Sequence, residues 1–405
     1  MTIAAGVAKQ LKYKQEVTWG TIPAAGSAQL LRRVTSNLGL KKQTYESNEL
    51  LPTYQRQDFR HGIRSIEGAI NGELSPGTYK DFMAAAVRRA FTAVTAISGA
   101  SITIAGSGPT WTVTRAAGSW LSDGVKDGYV GRLTAGSFNA ANLNKNLIVV
   151  SVTSATVLTV ALFPGVASLV AEGPIAASTL TLPGKVTFAP SSGHTDLSYS
   201  IEHWHSDLSL SHVFSGCKIR KMDLGLPPTG ISTANFDFLG KDITTAGAEY
   251  FTSPTAITST GVMAAVNGLL VAQSGISTNV TGATISLDGN MTTEPIVGSN
   301  VYADIAEGRI LVNGQLTALF QDAIMRDYFI NETEVSLYIA LSASSAVGSD
   351  FISLGLPRIK FGAADNDDGD KSLIITLPYT GLYNSAGGAG VKSEQTTLQI
   401  QDSQS

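Results

Sequence analysis

The chain has 405 residues, with 28 Lys and Arg against 32 Asp and Glu for a net charge of −4, 41 glycines and one cysteine. With a sequence pI near 5.8, it does not suit a general nucleic-acid binder that neutralises phosphates through a basic surface. The lone Cys217 excludes an intramolecular disulfide, so the fold must stand in a reducing compartment, and the residue reads as a small buried hydrophobe rather than a nucleophile.

The length suggests two or three domains, each large enough to bury a core without disulfides or metals. Low charge and many Gly, Thr, Ser, Ala and Val residues favour strands and turns over helices. The first ten residues lack the charged n-region and long apolar core of a signal peptide, and no apolar run approaches the length of a membrane-crossing helix. Synthesis and folding in a cytosol are therefore expected.

In chain order, Lys12 to Thr18 reads as a short strand, Trp19 to Pro23 as a turn, and Ala28 to Val34 as extended. Lys41 to His61 mixes both charge signs with aromatics over a stretch too long for a tight hairpin turn, which suits a contact loop. Its candidate contact residues are Glu46, Glu49, Tyr54, Arg56, Asp58, Phe59 and Arg60; a plain solvated loop is the alternative. Next, Ile66, Ile70 and Leu74 share one parity with Gly68 and Gly72 between them, a half-buried strand. Ser75-Pro76-Gly77 ends it, and Tyr79, Phe82, Met83 and Ala86 then fall on one helical stripe.

Residues 95–185 lose nearly all charge and become short Thr, Val, Ser and Ile runs cut by glycine, the pattern of a small β-barrel or sandwich inserted into the first unit. The first unit resumes at Leu197, so it covers 1–94 and 186–245, and a second spans 246–385. A shift of 246 positions (308 − 62) sets Gly62 on Gly308, Ile66 on Val312, Gly68 on Gly314, Ile70 on Leu316, Leu74 on Phe320, Asp81 on Asp327 and Phe82 on Tyr328. We read a duplicated strand-turn-helix unit; a generic motif written twice by coincidence is the alternative. Residues 386–405, rich in Gly, Ser and Gln, read as a flexible tail.

Motifs for chemistry are sparse. His203 and His205 alternate on a strand and would need His212 or Asp207 to complete a metal site, so half-exposed strand histidines are the better reading. Asp365 to Asp370 resembles the start of a calcium loop, but Gly369 falls at the fifth position and Thr376 at the twelfth, where the loop needs Gly sixth and Glu twelfth. No nucleophile elbow or phosphate-cradling loop appears. No enzyme activity, metal or cofactor is expected.

Thr18-Trp19-Gly20-Thr21, Glu46-Ser47-Asn48-Glu49, Asp58 to Gly62, Gly68 to Leu74, Gly216-Cys217-Lys218-Ile219 and Leu226 to Gly230, in this order, resemble the major tail tube proteins of long non-contractile-tailed (siphovirus-type) bacteriophages, and the likeness spans nearly the whole chain. The resemblance implies a mainly β fold: two tandem sandwich or barrel units, each with a short helix, plus the small inserted β-domain on the outer surface. It implies a virion protein, assembled in the host bacterial cytoplasm, that polymerises into stacked rings forming the tail tube through which the genome is delivered. The partners implied are other copies of the chain, as a homotrimeric pseudo-sixfold ring or a hexamer, together with tail terminator, tape measure and baseplate proteins. Phage DNA would pass through the lumen without specific binding, and no membrane is involved. On this view the 41–61 loop contacts the next ring, and the strands carrying Ile66, Gly68, Ile70, Gly72, Leu74, Val312, Gly314, Leu316 and Phe320 belong to the inner barrel. The alternatives are a tail terminator or baseplate ring protein, and a carbohydrate-binding adhesin that would display Trp111 and Trp120 as an exposed platform.

Overall fold

The computed structural model describes residues 3–50, 52–273, 275–277, 280–321, 323–367 and 372–405. The chain begins with strands β1 (Lys9–Gln15), β2 (Gln29–Leu31), β3 (Thr35–Ser36), β4 (Gly39–Glu46) and β5 (Phe59–Glu73), then helix α1 (Lys80–Ala86). Strands β6 (Ile97–Gly106), β7 (Thr110–Arg115), β8 (Val130–Ala135), β9 (Leu147–Val152), β10 (Val157–Leu162) and β11 (Glu172–Thr181) follow. After them come β12 (Lys185–Phe188), β13 (Tyr199–His205), β14 (Leu210–Leu226), β15 (Thr233–Gly240), β16 (Asp242–Ala246) and β17 (Thr255–Ala256). The remainder holds α2 (Ala264–Asn267), β18 (Gly268–Ala272), β19 (Gly275–Ser277), β20 (Val280–Asp288), β21 (Thr292–Thr293), β22 (Ile305–Ala306) and β23 (Leu311–Leu319). It closes with α3 (Ile324–Ile330), β24 (Val335–Ser342), β25 (Phe351–Phe361), β26 (Asp365–Asn366), β27 (Ile374–Gly381) and β28 (Gln399–Asp402).

The fold is mainly β, and strand pairing builds two antiparallel ladders. One runs β1–β13–β14–β15–β5–β4. The other runs β18–β24–β25–β27–β23–β20. They meet where Lys221–Leu226 of β14 pairs with Ala283–Asp288 of β20, so one sheet continues from β4 to β27 without a break. Long β14 serves both sides of the first ladder: its first half pairs β13 and β16, its second half β15 and β20.

Alternation of apolar and polar residues decides which face of this sheet is covered. Ile66, Ile70 and Leu74 are fully buried and join Phe236, Phe238 and the α1 residues Phe82 and Met83 in the main core. Phe82 sits amid aromatic rings, with centroids 4.7 Å from Tyr13, 5.4 Å from Tyr199 and 5.2 Å from Phe238. Helix α3 follows β23 as α1 follows β5, but buries no residue fully and leaves Phe329 and Ile330 exposed.

Strands β6 to β11 close into a six-stranded barrel, in the order β10-β7-β6-β11-β8-β9. Its core contains Trp111 and Trp120, and the Trp120 indole N–H donates to the Thr156 carbonyl at 2.8 Å. The exposed aromatic platform expected of an adhesin is therefore absent at these two residues, because both rings fill the barrel. A third cluster, in which Val130, Ile148 and Phe163 meet Tyr338 and Phe351, seats the barrel on β24 and β25.

Two expectations are corrected. Lys41 to His61 is not one irregular loop: Gly39–Glu46 pairs with Phe59–Glu67, and their hairpin projects from the sheet. The polar, charged composition concealed these arms because they are exposed on both faces and show no apolar alternation. Residues 386–405 are no loose tail either. Gln399–Asp402 pairs with β12 on one side and β25 on the other, and Leu398 and Ile400 are fully buried. Their Gln-rich composition read as solvated, but the Gln401 amide donates to the carbonyls of Val130 and Pro183 and accepts from the Val130 N–H at 2.7 Å. Buried glutamines are tolerated once their hydrogen bonds are made.

Candidate assembly surface

The candidate surface has three parts: the open face of the continuous sheet, its two ends, and the β4–β5 hairpin. On the open face lie the side chains opposite in parity to the core residues. Across the sheet, Asn71 pairs with Asn235, Asn235 with Asp223, Asp223 with Ser286, Ser286 with Asn313, and Asn313 with Thr380. A parallel row brings Glu73, Thr233, Gly225, Thr284 and Gln315 together. Glu67, Glu73, Asp223, Asp237 and Asp288 supply negative charge to this face. Lys221 stands opposite both Asp237 and Asp288 and pairs with Asp223 at 3.0 Å. The face is thus polar and acidic, and its Lys221 is engaged by a carboxylate.

The sequence-selected strand residues lie on the other face. Ile66, Ile70, Leu74, Val312 and Leu316 are buried in the core, and Phe320, just past β23, packs partly against it. Sequence reasoning missed their polar alternates, Glu67, Asn71, Glu73, Asn313 and Gln315, although period-two alternation carries the signal. The glycines have local causes. Gly68 has φ +147, and a Cβ there would lie 2.7 Å from the Asn37 carbonyl oxygen, where the chain shifts from β3 to β4. A Cβ on Gly72 would lie 1.7 Å from the Tyr79 hydroxyl, which donates to the Arg32 carbonyl at 2.9 Å.

Each end of the sheet has an unpaired edge. Among the described residues, β3 and β4 pair only with β5, and β26 pairs only with β27. Unpaired edges expose backbone donors and acceptors that invite another strand. Asp365 and Asn366 of β26 are exposed at one end; at the other, Lys41 and Lys42 are exposed and have no ion-pair partner among the described residues. Asp367 follows β26; the rest of the calcium-like run, Asp368 to Asp370, lies outside the described residues.

The hairpin brings the predicted contact residues together at one tip. Arg56 pairs with Glu46 at 2.8 Å and Arg60 with Asp58 at 2.6 Å. The Arg60 guanidinium holds the exposed Asp58 carboxyl below the usual carboxylate range. Glu49 is exposed, and Leu50 and Tyr54 are each 99% exposed, with Phe59 at 51%. Large apolar side chains this open, on a strut held by a two-stranded ladder, belong to no core and make a candidate contact surface.

The strand histidines do not come together as a set of metal ligands. His203 turns inward, 2.9 Å from the Ser36 hydroxyl and edge-on to Phe214, while the rings of His205 and His212 lie 5.7 Å apart. Among the described residues, no group of three or more His, Cys, Asp or Glu could hold a metal ion. Burial first, then nearby Lys9 and Arg33, push the His203 ring down to about 2. Below about pH 6.5 the unfolded chain binds a proton at this residue that the folded chain does not. The stability this neutral ring contributes is therefore lost on acidification, by about 2 kcal/mol at pH 5. Asp127 and Asp402, both pushed up to about 6 by burial, act with the opposite sign. A His203→Gln chain should therefore lose less stability, or gain more, than the parent between pH 7 and pH 5 in denaturant titrations. Equal changes in the two chains would contradict a buried neutral His203.

A long polar-faced sheet with open edges and a projecting hairpin is a layout suited to a structural β-protein. The phage tail tube protein family matches residues 6–381, and the chain belongs to it. It is thus a structural component of the phage tail, in a family that self-assembles into a tube. No curated protein matches the chain significantly. Among the described residues, no helix is long and apolar enough to cross a membrane.

Proposed function

We propose that the chain polymerises into rings that stack as the tail tube, of the long non-contractile type, and that the bore conducts the genome into the host cell. The observation that carries this reading is the single sheet running from β4 to β27, polar and acidic on its open face and unpaired at both edges. Sheets of neighbouring chains joined edge to edge close a barrel and remove those edges. The open face then lines the bore, where carboxylates and amides repel or slide past DNA phosphates instead of holding them.

Three chains per ring follow if the two ladders are a duplicated unit, each ladder supplying one sixth of the barrel; their common strand order supports this. The first unit is then the discontinuous 1–94 and 186–245, the second is 246–385, and the 95–185 barrel projects from the outside of the tube. Glu46, Glu49, Tyr54, Arg56, Asp58, Phe59 and Arg60 contact the next ring, and tail terminator, tape measure and baseplate proteins meet the ends and bore. Assembly takes place in the host bacterial cytoplasm.

Negative-stain electron microscopy at rising protein concentration tests the reading. Tubes of uniform bore with threefold-modulated end views are expected, and persistent monomers would sink it. For the hairpin, the double variant Leu50→Ser, Tyr54→Ser should still form rings but shorten or abolish tubes. Tubes of parental length and stability from that variant would remove the hairpin from ring stacking.

A further inference from the structure

The two ladders share not only strand order but register. In the first, Asn71 pairs with Asn235 and Asn235 with Asp223; in the second, Thr317 pairs with Thr376 and Thr376 with Asp365. The offsets are 317 − 71 = 246, 376 − 235 = 141 and 365 − 223 = 142. One step along, Gly72, Ala234 and Leu224 correspond to Ala318, Ile375 and Asn366 with the same three offsets. The shared irregularities correspond too. Tyr199/Ile201 against Cys217/Phe214 recurs as Val335/Leu337 against Ile359/Leu356, again with 359 − 217 = 142. At the other edge, Leu40 opposite Ile66 and Ser36 opposite Ile70 recur as Leu287 opposite Val312 and Ala283 opposite Leu316, an offset of 287 − 40 = 247. Strand β26 therefore continues the path of β25 as the second half of β14 continues the first, and β3–β4 corresponds to β20.

The chain contains one example of how these edges join: Lys221 pairs with Asp288, Asp223 with Ser286, and Gly225 with Thr284. The same join cannot be made by the second ladder within one chain, because its matching edge, β26, has nothing beyond it among the described residues. Adding 142 to one side and subtracting 247 from the other translates the internal join into the one the free edges would make. We propose that β26 and its flanks pair antiparallel with β3–β4 of a second copy of this chain, Ala363 opposite Lys41, Asp365 opposite Gly39 and Asp367 opposite Asn37. This rests on the ring reading and deepens it, by fixing which edge meets which and in what register. Charge agrees with it: exposed Asp365 comes diagonally beside exposed Lys41 of the neighbour on one face of the joined sheet, a carboxylate next to an ammonium as where Lys221 meets Asp288 inside the chain. The contact is heterologous, so repetition does not stop at a dimer and gives a ring where the rotation closes.

Engineered disulfides test the register, since cross-strand partners lie within bonding distance and residues several positions away do not. The only native cysteine, Cys217, is fully buried. Under oxidation, assembled Gly39→Cys, Asp365→Cys chains should yield covalent dimers and trimers on non-reducing gels, whereas Gln43→Cys, Asp365→Cys chains stay monomeric. The Asp223→Cys, Ser286→Cys chain should close its bond internally and shows that the geometry permits one. If the double variant folds poorly, a mixture of Gly39→Cys and Asp365→Cys single variants should give covalent dimers, with parental melting reporting that each is folded. Rings or tubes in which Gly39→Cys and Asp365→Cys stay unlinked while the internal control closes would overturn the register and leave the ring reading standing. Failure of the parent chain to form rings at all would overturn both.

Discussion

A chain truncated after Ser385 is expected to lose its cooperative folded state. The missing segment holds Leu398 and Ile400, both with no exposed surface, and truncating a buried Leu or Ile even to Ala costs about 2–5 kcal/mol. It also holds β28, paired on both edges, so β12 and β25 would each lose a neighbour. At the barrel, the Lys126 ammonium donates to the Val391 carbonyl at 2.6 Å, Tyr129 to Glu394 at 2.8 Å, and the Gln399 amide to the Asp127 carbonyl at 2.9 Å. Their removal leaves buried groups unsatisfied on the rim of a second hydrophobic core. The combined loss rivals the whole stability of a typical domain, about 5–15 kcal/mol. Thermal unfolding and limited proteolysis read the outcome: rapid cleavage and no sharp transition are expected. As a graded control, Leu398→Ala should fold but melt lower. A truncated chain with the parental melting temperature would show that the segment holds nothing together.

The second large effect is expected at Glu16. Its side chain is nearly buried and accepts four hydrogen bonds, from Gly20 N–H and the Ser198 hydroxyl at 2.7 Å through Oε2, and from the Ser200 hydroxyl at 2.7 Å and Gly216 N–H at 2.8 Å through Oε1. The carboxylate therefore ties the turn after β1 to β13 and to the middle of β14. Glu16→Ala strands these donors without an acceptor, and each unsatisfied buried group costs about 1–3 kcal/mol. A total loss of about 4 kcal/mol or more is expected, enough to reduce soluble yield sharply. Glu16→Gln keeps shape and one acceptor oxygen but turns two N–H groups toward donors, so it should fall between Ala and the parent. Urea titration of the three chains checks the order. A Glu16→Gln chain with the parental midpoint beside a destabilised Glu16→Ala chain would mean that filling space, not accepting hydrogen bonds through both oxygens, is the role of this side chain.

How much was legible follows from which interactions are local. Ile66, Ile70 and Leu74 show the strand, and Tyr79, Phe82, Met83 and Ala86 the helix, because period and burial are written together in a short window. The barrel strands were legible for the same reason: their Thr, Val and Ile runs are cut by turn residues. The hairpin arms were not, since exposure on both faces erases periodicity. The C-terminal strand was hidden as well, because the side-chain amides of Gln399 and Gln401 donate to partners some 270 positions away, among them the carbonyls of Asp127 and Val130.

For the candidate surface, the sequence by itself determined that this is a β-rich chain of low charge, that a glycine-spaced strand and helix recur at a shift of 246, and that its ordered motifs resemble tail tube proteins. It also contained the polar residues of the open face, but not their alignment. Only the tertiary structure decided that Asn71, Asn235, Asp223, Ser286 and Asn313 stand in one row, that β14 meets β20, and that β3–β4 and β26 are left as edges. The reason is physical. A strand's periodicity fixes which side chains share a face, whereas its neighbours and register are fixed by hydrogen bonds and packing between segments far apart in the chain, and no local pattern encodes them.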